Sequence, residues 1–141
     1  MTELTSYEAL QGTWKLVEVR GDITAAFGKS PQGFFIFGND GRTLVLITAE
    51  KRPKISDLAG MTDQERVDLF KTMLAYGGTY IFDGKEMKIN VDISWNENWS
   101  GTEQIRFAKL EGNRLELTTP LAPSIFDGKP TRTVLIWEKL T

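Results

Sequence analysis

The sequence predicts a mainly β fold, an eight-stranded antiparallel up-and-down barrel with one α-helix, and three observations support it. Segments rich in β-branched and aromatic residues recur at short intervals. Many are joined by tight-turn sequences such as Asp40-Gly41 and Asp83-Gly84, which supply the positive φ angles of hairpin turns. Only one segment has a strong helix signal, and one helix cannot cover both faces of so large an open sheet. Closing the sheet removes its edges and leaves an interior for side chains or one small ligand.

Eight segments are predicted to be strands. The clearest pair is the hairpin in which Asn39-Asp40-Gly41 joins two apolar segments. The segment 87–95 alternates strictly between apolar and polar residues. The predicted strands, in chain order, are 12–20, 33–38, 42–48, 79–82, 87–95, 102–110, 114–119 and 131–140.

One amphipathic α-helix is predicted over about residues 62–76. Thr62 and Glu65 have the spacing of a capping box, in which each side chain accepts a hydrogen bond from a free amide of the first turn. Gly77-Gly78 is expected to end the helix. The apolar residues at helical spacing, which we expect to face the barrel, are Val67, Phe70, Met73 and Leu74.

The composition excludes several classes of function. The 141 residues fit one domain, 1–141. The 17 Lys and Arg are scattered and the net charge is -2, so we expect neither nucleic acid nor an anionic membrane as a partner. The chain has no Cys and no His, which removes thiolate and imidazole chemistry and leaves no metal site and no cofactor expected. Any reaction would use carboxylates, Tyr, Lys, Arg or amides.

The ends and the hydropathy of the chain indicate a cytoplasmic location. Residues 1–8 contain neither a basic segment nor an apolar segment of the kind found in signal peptides. No window reaches the roughly 18 apolar residues of a membrane span. We therefore expect a cytoplasmic protein that does not enter the membrane.

Several motifs, taken in order, resemble those of the bacterial and fungal lipocalin-like domain family, whose members are small calycin-type barrels. The opening Gly12-Thr13-Trp14 matches the Gly-x-Trp start of lipocalin-type barrels, where the Trp plugs the barrel floor. Relatives tend to carry His where this chain has Ile89-Asn90, so a histidine mechanism does not transfer. The resemblance implies the fold and a role on small organic molecules, but no particular activity. The matching motifs lie at 10–17, 31–33, 40–42, 51–53, 76–80, 98–106, 115–120 and 135–139.

Polar, charged and aromatic residues are concentrated between residues 85 and 110. Alternation along the first strand of this stretch puts Asn90 and Asp92 on one face and an apolar row on the other. Either row can face the interior, and with the apolar row inside, Asp92 is a surface carboxylate. On the next strand Gln104 and Arg106 share a face. If they point inward, they supply an amide and a cation for a carboxylate, enolate or phenolate oxygen.

Three residues of the predicted barrel are candidates for catalysis. Asp92 is the first candidate for a general base, because an apolar interior raises the pKa of a carboxyl group toward neutrality. Arg106 and Tyr80 are candidates for stabilising a developing oxyanion. The same three side chains also suit a ligand that is bound without reacting.

Seven further residues are candidates for contacting a ligand. Trp95 and Trp99 flank a loop at the end of a strand, where one of them can stack on a ligand; the alternative for both is packing. Trp14 and Trp137, in the first and last strands, are expected to be structural residues that help to close the barrel. The candidate ligand-binding residues are Glu18, Phe35, Phe37, Asn90, Trp95, Trp99 and Gln104.

Three functions remain open from the sequence. The leading hypothesis is a barrel that binds a small, largely apolar organic molecule carrying an oxygen function. The alternative is a cofactor-independent isomerase, cyclase or lyase that acts in the same pocket. The third is a non-catalytic interaction domain whose barrel is filled by side chains and whose outer apolar face forms a dimer. Both a monomer and a homodimer are compatible with the sequence.

Overall fold

The structure, a computed structural model, describes residues 6–21, 23–123 and 128–140. Three short α-helices, one 3-10 helix (Glu97–Trp99) and ten strands make up the regular structure of these residues. The helices are α1 (Ser6–Leu10), α2 (Ile23–Phe27) and α3 (Asp63–Lys71). The strands are β1 (Gly12–Arg20), β2 (Gln32–Phe37), β3 (Arg42–Thr48), β4 (Met73–Phe82), β5 (Glu86–Ser94), β6 (Glu103–Glu111), β7 (Arg114–Thr118), β8 (Ala122–Pro123), β9 (Pro130–Thr131) and β10 (Val134–Lys139).

Eight of the strands form a closed antiparallel barrel, in the order β1-β10-β7-β6-β5-β4-β3-β2. Neighbours in the barrel are neighbours in the chain except where β10 closes it between β1 and β7. The two short strands β8 and β9 pair separately. The predicted eight-stranded up-and-down barrel is therefore confirmed.

The barrel wall is apolar on its outer face as well as its inner face along β2 and β3. Phe35 and Val45 pair across the ladder and are buried. Their neighbours Phe34 and Leu46 also pair, but on the outside, where each is about half exposed. Successive residues of a strand point to opposite faces, so these continuous apolar runs fill the core and also leave an apolar outer surface.

One end of the barrel, its floor, is closed by α1. The ring of Tyr7 in α1 stacks on the ring of Tyr80, with centroids 5.3 Å apart. The buried Trp14 donates a hydrogen bond from Nε1 to the carbonyl oxygen of Leu10 at 2.8 Å. Trp14 thus occupies the floor, as the resemblance implies, and Trp137 is also fully buried in the core.

The helix prediction was correct at its start and wrong at its end. Thr62 and Glu65 form both hydrogen bonds of the capping box, at 2.9 and 3.1 Å. However, α3 ends at Lys71 and β4 already begins at Met73. No residue of α3 is buried, so the predicted packing of an apolar helical face is also wrong. The reason is that residues 73–76 pair with β3, and hydrogen bonding and burial in the barrel override the helical periodicity.

Candidate functional site

A cavity of about 280 Å³ lies inside the barrel, toward the end opposite α1. The strand ends at this side of the barrel are joined by α2, by the segment containing α3, and by the 3-10 turn Glu97–Trp99. Most of the cavity wall is made of apolar and aromatic side chains that the alternation of the strands turns inward. The wall includes Ile23, Phe35, Val45, Ile47, Leu74, Tyr76, Trp99, Leu117 and Leu135.

Gln104 and Arg106 of β6 contribute an amide and a cation to the cavity wall, whose other polar residues are Glu103, Thr119, Thr131 and Thr133. Gln104 and Arg106 pair with Ile89 and Met87 of β5, which are fully buried. Residues that pair directly across a ladder project to the same face of the sheet, so Gln104 and Arg106 face the interior. The structure therefore settles which face of β6 is turned inward.

Gln104 and Arg106 each use only part of their hydrogen-bonding capacity. Gln104 Nε2 donates to Thr102 Oγ1 at 3.0 Å. One terminal nitrogen of Arg106 donates to the carbonyl oxygen of Ile105 at 2.8 Å. A guanidinium has five N–H donors, and within the described part of the chain Arg106 has no carboxylate at ion-pair distance. Donors in this wall thus remain available to a ligand.

The cavity also extends into a gap in the side of the barrel. Pairing between β6 and β7 begins only at Phe107 and Thr118, so residues 103–106 pair with β5 alone. Glu103 and Ile105 line the cavity at this free edge. The opposite side of the gap is formed by Thr119, Pro120, Ala122, Pro123 and Thr131.

An aromatic cluster stands beside the cavity entrance. Trp99 lines the cavity and meets Tyr76 edge to face, with ring centroids 5.3 Å apart. Trp95 packs against the other side of Trp99 at 5.3 Å, and Phe70 of α3 lies 6.4 Å from Trp95. Of the two predicted tryptophans, Trp99 is therefore in the cavity wall and Trp95 supports it.

Asp92 lies on the outside of the barrel and not in the interior, where the hypothesis of a general base placed it. A bulge in the pairing of β4 with β5 leaves Asp92 without a partner between Val91 and Ile93. Its carboxylate is half exposed and pairs with Arg42 at 2.7 Å. Because β5 turns its apolar row inward, its polar residues face water.

Asn90 and Glu18 also lie outside the barrel. Asn90 is exposed on β5 and pairs with the exposed Glu103 of β6. Glu18 follows a bulge in β1 and forms an exposed ion pair with Arg20. Neither side chain lines the cavity, since each belongs to the solvent-facing row of its strand.

Tyr80 and Phe37 lie in the barrel floor, below the cavity. Tyr80 donates a hydrogen bond from its hydroxyl group to the carbonyl oxygen of Gly38 at 2.7 Å. Burial, together with a hydrogen bond to Tyr7, raises the pKa of Tyr80 well above its usual value. Phe37 meets Tyr80 edge to face at 5.2 Å. We therefore assign both residues to packing, while Phe35 reaches the cavity wall.

The sequence interpretation missed most of the apolar wall. Val45, Ile47 and Leu117 line the cavity. Along β3, alternation could not decide between the row of Val45 and Ile47 and the row of Leu44 and Leu46, because all four residues are apolar. Whether such residues fill the interior or surround an empty space depends on the summed volumes of all inward side chains. No sequence pattern predicted the gap beside β6, because the gap results from where the pairing of β6 with β7 stops.

The described residues contain neither a metal-binding cluster nor a membrane-spanning helix. No group of three or more Asp or Glu side chains in this part of the chain is arranged to hold a metal ion. None of the helices found there is long and apolar enough to cross a membrane. A groove is also present on the outer face of the barrel, above Gly77 and Gly78 and between Leu44 and Ile93.

Comparison with known proteins agrees with this architecture. A family model described as a lipocalin-like domain matches residues 11–140. The chain is also similar to the 4'-hydroxy-3'-methoxypropiophenone carrier protein ppsC of Aspergillus oryzae, with 32% identity over 87 residues. The aligned region covers 56% of this chain and 78% of ppsC. With a closed eight-stranded barrel and a family match over nearly its whole length, the chain belongs to the lipocalin-like domain family.

Proposed function

We propose that the barrel binds one small organic molecule that is largely apolar, contains an aromatic ring and carries an oxygen function. The observation that supports this proposal is the cavity of about 280 Å³, apolar on most of its surface and polar at Gln104 and Arg106. Small-molecule sites typically combine an apolar lining with a few oriented polar groups. An apolar cavity of about 150 Å³ accepts benzene, so the present volume suits one substituted ring.

The similarity to ppsC narrows the proposed ligand to phenolic aryl ketones. The molecule in the name of that protein has a single ring with a hydroxyl, a methoxy and a keto group. Such a molecule has the size and the mixture of apolar and polar surface that this cavity requires. We propose that its ring lies against Trp99 and Phe35, and that Arg106 and Gln104 donate hydrogen bonds to one of its oxygens.

Binding without reaction is favoured over the two alternatives. The catalytic alternative used Asp92 as a base inside the barrel, and Asp92 faces the solvent. The ionisable residues that do line the cavity are Tyr76, Glu103 and Arg106, and Glu103 is an exposed carboxylate at the side gap. The interaction-domain alternative required a barrel filled by side chains, and the cavity of about 280 Å³ argues against such filling.

A matched pair of tryptophan substitutions tests this function. Val45→Trp places a large side chain inside the cavity, whereas Leu44→Trp adds the same bulk to the outer face of the same strand. With 4-hydroxyacetophenone as the probe, we expect calorimetric affinity to fall at least tenfold in Val45→Trp and to stay unchanged in Leu44→Trp. Thermal unfolding verifies that both variants are folded. Equal affinity of a folded Val45→Trp and the unmodified protein would show that the probe binds elsewhere.

A further inference from the structure

The inference concerns the charge of the ligand, and it rests on the proposed function. The guanidinium of Arg106 lies in the wall of a mainly apolar cavity, and within the described residues its one hydrogen bond is to the Ile105 carbonyl. Partial removal of a cation from water is unfavourable unless an anion or several acceptors replace the lost hydration. A single carbonyl group replaces little of it. The surroundings of Arg106 therefore favour a ligand that brings a negative charge.

Among the described residues, the other groups that face the cavity do not neutralise Arg106. Its cross-strand neighbours Met87 and Ile89 are apolar, and so are the wall residues of β2, β3, β7 and β10. Glu103 is exposed, belongs to the outward-facing row of β6 and forms no ion pair with Arg106. Among the described residues whose side chains face the cavity interior, Arg106 is thus the charged one.

We propose that the barrel binds a phenolic aryl ketone as its phenolate, with the phenolate oxygen on Arg106. Binding then breaks the phenol O–H bond, leaves the electron pair on oxygen and releases the proton to water. A keto group para to the hydroxyl group favours this ionisation, because the negative charge is delocalised through the ring onto the carbonyl oxygen. A guanidinium can also meet an anionic oxygen with two parallel hydrogen bonds, which strengthens the contact.

The expected effect is large enough to measure. An opposite charge within about 4–6 Å lowers the pKa of an acid by roughly one to three units. Desolvation in the apolar cavity raises the pKa of the phenol, and we expect the charge of Arg106 to outweigh this effect. We expect the bound phenol to be ionised at a pH about one unit below the pKa of the free molecule.

Absorption spectroscopy of the complex measures this ionisation directly. The probe is 4-hydroxyacetophenone, whose phenolate absorbs at longer wavelength than its phenol. At a pH between the expected pKa of the bound phenol and that of the free phenol, we expect the phenolate band with the unmodified protein and its loss in Arg106→Met. Arg42→Met is the matched control, because it removes a cation from the outer surface and should keep the band. The methyl ether, 4-methoxyacetophenone, cannot ionise and should bind about tenfold more weakly.

The outcomes separate this inference from the function on which it rests. Tight binding of the probe with only the phenol band, or equal affinity for probe and methyl ether, would overturn the phenolate assignment and leave the binding function standing. If the phenolate band persists in Arg106→Met, Arg106 is not the group that stabilises the bound phenolate. If neither compound binds, the proposed function fails as well. If Arg106→Met is unfolded, a pH titration of the probe bound to the unmodified protein tests the inference instead. A bound phenol whose pKa is not lower than that of the free phenol would contradict it.

Discussion

Two buried tryptophans differ in one hydrogen bond and therefore in what they contribute to stability. Trp14 Nε1 donates to the Leu10 carbonyl, whereas Trp137 Nε1 has no acceptor among the described residues. Both side chains are fully buried, so replacing either by Phe removes a similar volume. Only Trp14→Phe also leaves a carbonyl group without its donor.

We expect Trp14→Phe to lower the free energy of unfolding more than Trp137→Phe, by about 1–2 kcal/mol. Urea-induced unfolding of the two variants and the unmodified protein measures the difference. An equal or smaller loss in Trp14→Phe would mean that the hydrogen bond to Leu10 adds nothing to the floor of the barrel.

Tyr80 gives the barrel a pH-dependent stability in the alkaline range. Its raised pKa, caused first by burial, means that the folded protein keeps a proton that an unfolded chain loses near pH 10. The contribution is complete below that pH, and stability falls as the pH rises above it.

We expect Tyr80→Phe to flatten this decrease. The free energy of unfolding, measured from about pH 9 to pH 11 around the usual tyrosine pKa, should fall less steeply in the variant. At neutral pH the variant should be less stable by about 1 kcal/mol, because the half-buried Gly38 carbonyl loses its hydrogen bond from the tyrosine hydroxyl group. Identical slopes in both proteins would exclude Tyr80 as the titrating group.

Single residues also show how far the sequence could locate the site. Alternation correctly grouped Gln104 with Arg106 and Asn90 with Asp92, but it could not say which group faced inward. The answer lies in the register between β5 and β6, where Arg106 pairs with the buried Met87. A shift of one residue would exchange the two faces, and nothing local to the sequence fixes that register.

At the scale of elements, the contact of β4 with β5 depends on a glycine. A Cβ atom on Gly78 would lie 1.9 Å from the carbonyl oxygen of Asn90, which is backbone and cannot move without disrupting the pairing. Gly60 makes a suitable control. Its added Cβ would approach only the carboxylate of Asp57, which can rotate away.

We expect Gly78→Ala to be strongly destabilising, by more than about 3 kcal/mol, since the substitution opens a ladder of the barrel wall. Gly60→Ala should change stability by less than about 1 kcal/mol, as is usual for surface positions. Thermal unfolding followed by circular dichroism compares the two. A small effect of Gly78→Ala would show that β4 and β5 can separate locally at the bulge at little cost.

The elements were predictable where signals in the chain act over a few residues. The Asp40-Gly41 turn and the capping box at Thr62 were both identified correctly. The C-terminal end of α3 was not, because Met73 and Leu74 fit a helical stripe as well as a strand. Their place in β4 depends on partners in β3, distant in the sequence, and such tertiary pairing overrides local preference.

At the scale of the whole molecule, stability and binding are assigned to different ends of the barrel. The floor is packed with Trp14, Phe37, Tyr80 and α1, and its buried hydrogen bonds hold the structure together. The opposite end contains the cavity of about 280 Å³, which is lined by Trp99, Arg106 and the apolar wall. Substitutions in the floor should therefore change stability more than ligand affinity. Substitutions in the cavity wall should change ligand affinity more than stability.

The barrel itself could be predicted from the sequence, whereas its cavity could not. Eight short strands with one helix leave few architectures that bury their apolar faces. The volume of the interior depends on many side chains at once, and the gap beside residues 103–106 depends on where β7 ends. Neither property follows from a pattern within any one segment.

The position of a bound probe tests the central claim, that the ligand occupies the barrel interior. Nuclear Overhauser effects between the ring protons of 4-hydroxyacetophenone and the methyl groups of the isotope-labelled protein report that position. We predict contacts with the inward methyl groups of Val45, Ile47 and Leu117. Contacts confined to the outer groove, at Leu44 and Ile93, would contradict the claim.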